Sequence, residues 1–156
     1  MKIRTVSLCL IRRDDQILVE EIVDEGLKKR LYRPIGGTVE HGENSKQTVI
    51  REVMEEIGAE IEEPKLSFVI ENIFEYLEET GHEIDFIYEA ELRDRNLYNQ
   101  EHINGLEGES KYNAVWKPIM GFLNNRHEKL IPDGLLELLL NQHKENISNI
   151  KHTSTT

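Results

Sequence analysis

Glu52, Glu55 and Glu56 fall within little more than one helical turn, behind the paired Gly36-Gly37 and a lone Glu43. Carboxylates held that close repel one another unless something positive sits among them. Hard divalent cations such as Mg²⁺ take oxygen ligands and keep some waters for a phosphate substrate. Glycine lets a backbone come close to such a phosphate. Residue types and spacing together point to a divalent-metal site acting on a phosphate compound.

The element that must carry these carboxylates is a helix. Asn44 or Ser45 is a suitable N-cap, and Gln47 completes a weak capping box with Asn44. Val49, Ile50, Val53, Met54 and Ile57 recur at three- and four-residue steps and predict one apolar stripe. Gly58 stands where a left-handed C-terminal residue belongs. At about 100° per residue, the three glutamates share an arc away from that stripe, with Glu55 and Glu56 expected to face solvent. An acidic triplet alone is most often a solvated helix face. Gly37, Glu43, Arg51, Glu52, Glu55, Glu56 and Gly58 at fixed spacing are far more demanding. A chance match in a chain of this composition is on the order of one in 10⁵.

The run Gly37-x5-Glu43-x7-Arg51-Glu52-Val53-x-Glu55-Glu56-x-Gly58-Ala59 resembles the Nudix box, the signature of the Nudix hydrolases, over residues 37–59. Every fixed position is present, with Ala59 a small occupant of the last, apolar one. The resemblance implies an α/β (α+β) fold, an α/β/α sandwich with a mixed sheet, the box helix and a C-terminal helix. It implies hydrolysis of a nucleoside diphosphate linked to another moiety, with Mg²⁺ or Mn²⁺ as cofactor. Carried over by position, Glu52, Glu55 and Glu56 resemble the metal ligands, and Gly36 the carbonyl ligand before the box. Glu55 and Glu56 are also the catalytic candidates. Gly37, Glu43 and Arg51 resemble supporting residues that orient helix and loop. Many members place an aromatic, a Leu-Pro and two glycines before the box. Here Tyr32-Arg33-Pro34-Ile35-Gly36-Gly37 exchanges the proline and the aliphatic residue.

The implied chemistry is water attack on phosphorus, with metal ions neutralising the diphosphate, lowering the pKa of the water and orienting it. A general base must lie within hydrogen-bond reach of that water. The segment before Trp116 offers Glu101, Glu107 and Glu109, of which Glu109 is the choice because similar chains place a carboxylate shortly before that strand. Arg33 and Tyr76 are the substrate-binding candidates. Tyr76 follows the box at a spacing similar to that of dinucleoside-polyphosphate enzymes, and Pro64 follows too soon for the proline of ADP-ribose enzymes. The substrate class is a small phosphorylated metabolite, a nucleotide derivative, and the resemblance names no single compound. A non-catalytic nucleotide-binding regulatory module on the same fold is the alternative. Such a module has little reason to keep Arg51, Glu52, Glu55 and Glu56 together.

The rest of the chain agrees. Its 156 residues fit one domain, read as residues 1–143 with a frayed tail over 144–156. A net charge of −11 argues against nucleic acid or an anionic membrane as a main partner. The lone Cys9, inside the apolar run Val6 to Ile11, allows no internal disulfide and points to a reducing, cytoplasmic setting. Nothing approaches the ~20 apolar residues of a membrane span. Ile3 to Ile11 and Gln16 to Val23 predict a hairpin about Arg13-Asp14-Asp15. Residues 31–40 predict short extended pieces, and Leu66 to Leu77 and His82 to Leu92 predict strands joined by a turn at Glu79-Thr80-Gly81. Asn96 to Lys111 reads as a polar loop and candidate lid, before a strand over Tyr112 to Pro118. A helix opening at Pro132 or Asp133 and running to about His143 presents a leucine-rich side to the core or to a second copy in a homodimer.

Overall fold

The computed structural model of the chain describes residues 2–22, 28–107 and 110–142. Among the described residues nine strands form one mixed sheet. They are β1 (Arg4–Leu10), β2 (Arg12–Arg13), β3 (Gln16–Ile22), β4 (Arg30–Thr38), β5 (Ile61–Tyr76), β6 (Glu79–Leu92), β7 (His102–Glu107), β8 (Ser110–Pro118) and β9 (Glu128–Leu130). Along the sheet the order is β5-β6-β1-β4-β3-β8-β7, with β2 on β3 and β9 on β4. Pairing is antiparallel except for β1 with β6 and β4 with β9. Helix α1 (Ser45–Ile57) enters between β4 and β5, and a second helix, α2, spans residues 135–142. No helix among the described residues is long and apolar enough to cross a membrane.

Strand alternation gives the sheet two apolar faces, each with its own helix. Cys9, Ile11, Leu18, Ile35, Tyr88 and Trp116 join Val49 and Val53 of α1 in one buried cluster. Val6, Leu8, Leu10, Ile17, Val19 and Ile87 join Leu135 and Leu139 of α2 in the other. The leucine side of α2 is therefore core. This is the α+β arrangement, a mixed sheet with a box helix and a C-terminal helix, that the sequence predicts.

Three local expectations are corrected. Residues 31–40 are not short pieces: one nine-residue strand, β4, passes through both glycines, its first half paired with β3 and its second with β1. The β5–β6 turn falls at Leu77 and Glu78, both with positive φ (49° and 67°), and Glu79 to Gly81 already pair as strand. Neither Leu nor Glu favours that backbone region, so the residues at the turn carried no signal for it. The polar stretch from Asn96 is no open lid. A 3-10 turn over Arg95–Asn99 leads into β7, which pairs with β8 from His102 to Glu107. There the buried Ile103 and the cross-strand partner outweigh the two glycines.

Candidate active site

The box helix is fixed at both ends by its own sequence. The Asn44 side chain accepts from the Gln47 amide (2.8 Å) while the Gln47 side chain accepts from the Asn44 amide (2.9 Å), a reciprocal capping box. Gly58 closes the other end at φ 66°, its amide donating to the Met54 carbonyl. The buried Ser7 hydroxyl donates to the Ser45 carbonyl at 2.8 Å, and the Ser45 hydroxyl meets the Tyr88 hydroxyl at 2.7 Å. These contacts tie the first turn to β1 and β6, which sets where the glutamates point.

Which face is buried differs from the predicted stripe. Thr48, Val49, Val53 and Glu56 lie inward, whereas Ile50 and Met54 are each 43 % exposed. The helix is turned by about one residue step, about 100°. Glu56, expected in solvent, is 4 % exposed. Glu52 is half-hidden against the sheet, and Glu55 is exposed to 59 %. The three predicted ligands thus occupy three different environments.

Arg51 collects this site. Its guanidinium donates to both oxygens of Glu43 (2.7 and 2.8 Å), to Glu52 (2.9 Å), to Glu55 (3.1 Å) and to the Thr38 carbonyl (3.3 Å). Glu43 also accepts from the Thr48 hydroxyl at 2.6 Å. Hydrogen bonds from Arg51 and then Thr48 hold the Glu43 carboxyl down at about 2, and the same contacts raise the already high pKa of Arg51. Charge-assisted, forked bonds of this kind fix geometry as well as sign. Gly37 supplies the room: a Cβ there would lie 2.6 Å from the Glu52 carboxyl.

The donor chemistry fits a hard cation, being carboxylate oxygens beside a glycine backbone. Among the described residues, however, no three His, Cys, Asp or Glu side chains converge on a point where a metal ion could be held. Arg51 occupies the charge between Glu52 and Glu55 instead.

Arg33 and Tyr76, far apart in sequence, are brought to one cleft of 550 Å³ between β4, the β5–β6 hairpin and the segment after β9. Arg33 is not a free-swinging surface side chain: it pairs with the buried Glu20 at 2.7 Å and reaches the Gly36 carbonyl at 3.4 Å. Glu109 lies outside the described residues, as does the side chain of Glu107, and Glu101 is exposed. What sequence reasoning missed is the floor of the cleft, where Glu83 and Asp85 of β6 face Arg4 of β1. Alternation along β6 marked Ile84, Phe86 and Tyr88 as one face and left Asp85 opposite, with no sign that it would be buried.

A family model described as NUDIX domain matches residues 1–133. The chain belongs to the Nudix family. Solved structures agree in fold. A MutT NUDIX hydrolase from Burkholderia pseudomallei superposes with a TM-score of 0.61 at 18% identity, over 88% of this chain and 97% of that one. A NUDIX hydrolase from Nitrosomonas europaea gives 0.65 at 19% identity, over 92% and 90%. An ADP compounds hydrolase gives 0.58 at 18%, over 92% and 74%. No curated protein matches the chain. The Nudix family acts on nucleoside diphosphate derivatives, and membership supports a pyrophosphohydrolase. The capped helix, Arg51 and its carboxylates are then the Nudix box of this chain.

Proposed function

We propose that the protein hydrolyses a nucleoside diphosphate linked to another moiety, with Mg²⁺ or Mn²⁺ as cofactor. The observation that carries this is the Arg51 network, which gathers loop Glu43 with Glu52 and Glu55 of the capped helix beside Gly37. Glu52, Glu55, Glu56 and the Gly36 carbonyl would hold the cation. When bound, it supplies charge neutralisation and a more acidic water.

The chain's own residues do the rest. Arg51, anchored by Glu43, keeps the Glu52 and Glu55 carboxylates together at short range before any ligand arrives. Gly37 keeps side-chain volume out of the space that the Glu52 carboxylate uses. Water attacks one phosphorus, the bridging P–O bond breaks, and the proton of the water passes to a carboxylate within reach. Glu55 and Glu56 are the candidates on the helix, and Glu109 is the candidate beyond it. The substrate's organic half lies in the cleft with Arg33 and Tyr76.

Purified protein incubated with Mg²⁺ and a panel of diphosphate compounds, followed by phosphorus NMR, tests this directly. Metal-dependent cleavage that Glu55→Gln reduces by more than the ~100-fold typical of losing an outer-shell partner is the expected result. Glu55 is the cleaner probe because it is exposed, whereas the buried Glu56 can also be needed for folding. Absence of cleavage across the panel, with nucleotide binding retained, would make the protein a regulatory binding module.

A further inference from the structure

The cleft beside the box holds one group that the hydrolytic chemistry does not use. Asp85 is fully buried on its lining, no N–H or hydroxyl donates to either carboxylate oxygen, and its polar neighbour is a second carboxyl, that of Glu83. A buried, unsatisfied carboxylate costs stability unless something completes it.

Register shows what surrounds it. Val6 pairs with both Thr38 and Asp85, so Ile70, Asp85, Val6 and Thr38 form one row across four strands. The next row outward is Asn72, Glu83 and Arg4. Directly paired residues share a face of the sheet, so Asp85, Glu83, Asn72 and Arg4 make a polar floor on the face away from α1. Arg4 pairs with Glu83 at 3.4 Å and donates to the Thr38 hydroxyl at 3.0 Å. At the outer end the Phe74 ring lies over Gly81, in space that any Cβ there would take. Thr38 joins the two sites, its hydroxyl held from the cleft by Arg4 and its carbonyl from the box by Arg51. Two strand spacings, about 10 Å, separate Asp85 from Thr38 along their row, a gap that a nucleoside spans between its base edge and its first phosphate.

We propose that Asp85 is the base-reading residue of this enzyme, and that the cleft takes a guanine-type base whose adjacent ring N–H and exocyclic amino group both donate to the Asp85 carboxylate. The inference rests on the hydrolase function proposed above. An ionised carboxyl is acceptor-only and matches two neighbouring donors. The Phe74 ring supplies an apolar face for the base, and Asn72 is a second polar reader on the floor. Asp85 reaches no solvent, so the base takes the place of the Glu83 carboxyl at Asp85 and leaves Glu83 to Arg4. Burial, then the hydrogen bond and charge of the neighbouring Glu83, pushes the Asp85 carboxyl up to about 7, while Arg33 and Arg4 pull it down. Two donors in place of Glu83 remove the acidic neighbour and favour the ionised form.

The decisive pair of probes is GDP and IDP, which differ only by the exocyclic amino group. Displacement of a fluorescent GDP analogue from the full chain reads binding, and kcat/KM for GTP and ITP reads turnover. The wild type is expected to prefer guanine by about tenfold or more, the worth of one hydrogen bond to a charged group. Asp85→Asn offers one acceptor and one donor, so the preference should fall to near parity. Asp85→Ser, which removes the carboxyl with less volume, repeats the test if the Asn variant does not fold. Equal affinity of the wild type for GDP and IDP, or an unchanged ratio in both variants, overturns the assignment. Cleavage without base preference would sink this inference and leave the hydrolase standing. Base preference without cleavage would do the reverse.

Discussion

The box and the cleft floor each gather acidic groups around arginine, yet they settle them in opposite ways. At the box, Arg51 reaches Glu52 and Glu55 on its own helix and Glu43 just before the N-cap, all at 3.1 Å or less. On the floor, Arg4 pairs with Glu83, and Asp85 has only that second carboxyl beside it, with no N–H donor of its own. At one site the acidic groups already have a cationic partner within the chain, and at the other the innermost carboxyl lacks one. Preorganised groups suit chemistry, where reorganisation costs rate. An unsatisfied group suits selection, because only the right ligand repays its burial.

The largest effect should come from disturbing the finished site. Gly37→Ala places a methyl group 2.6 Å from the Glu52 carboxyl and must move it. Turnover is expected to fall by about 100-fold, the cost of misplacing a reacting group by about 1 Å. The thermal midpoint should change little, because β4 is extended there and alanine fits that backbone. Equal activity in this variant would mean that the Glu52 position does not matter, and the contrast would lose its rigid half.

A smaller effect separates the two sites by pH. Asp85 has a folded value of about 7 against 3.8 as a free side chain, so its neutral form is favoured by folding. Its contribution is fully present below about pH 4 and is lost as pH rises through 7. Glu43 runs the other way. Its folded value of about 2 lies below the free 4.5, so its contribution is present above pH 4.5 and is lost as pH falls through 2. Urea unfolding of wild type and Asp85→Asn between pH 5 and 8.5 should therefore show the wild type losing ground as pH rises. The variant should be flatter over the same range. Parallel curves would remove the claim that Asp85 is unsatisfied.

The smallest effect is a control. Burial, then the Glu89 charge, raises the Cys9 thiol to about 12. A thiolate-directed alkylating reagent should leave native protein unmodified at pH 8 and label it once unfolded. Labelling of the native state would show that the α1 face opens, and with it the frame behind the box.

The box helix was legible because everything that defines it is local. Asn44, Gln47 and Gly58 mark its ends, and the spacing from Gly37 to Gly58 marks its chemistry. Its rotation was not legible. Glu56 belongs to an acidic triplet in sequence, and only packing of Val49 and Val53 against Cys9, Ile35 and Tyr88 turns it inward. Tyr76 was singled out by its spacing from the box and Arg33 by its place beside the two glycines, and both line the cleft. Asp85 could not be found that way. Its isolation depends on the register of β4, β1, β6 and β5 together, and no window of sequence contains that.

Thr38 serves the box through its backbone and the cleft through its side chain. Any residue that keeps β4 extended preserves the carbonyl, whereas only some keep the hydroxyl. A substitution there can retune which compound is accepted while the bond-breaking apparatus stays as it was. In evolutionary terms the position is a point of modularity, letting a lineage change its diet without rebuilding its teeth.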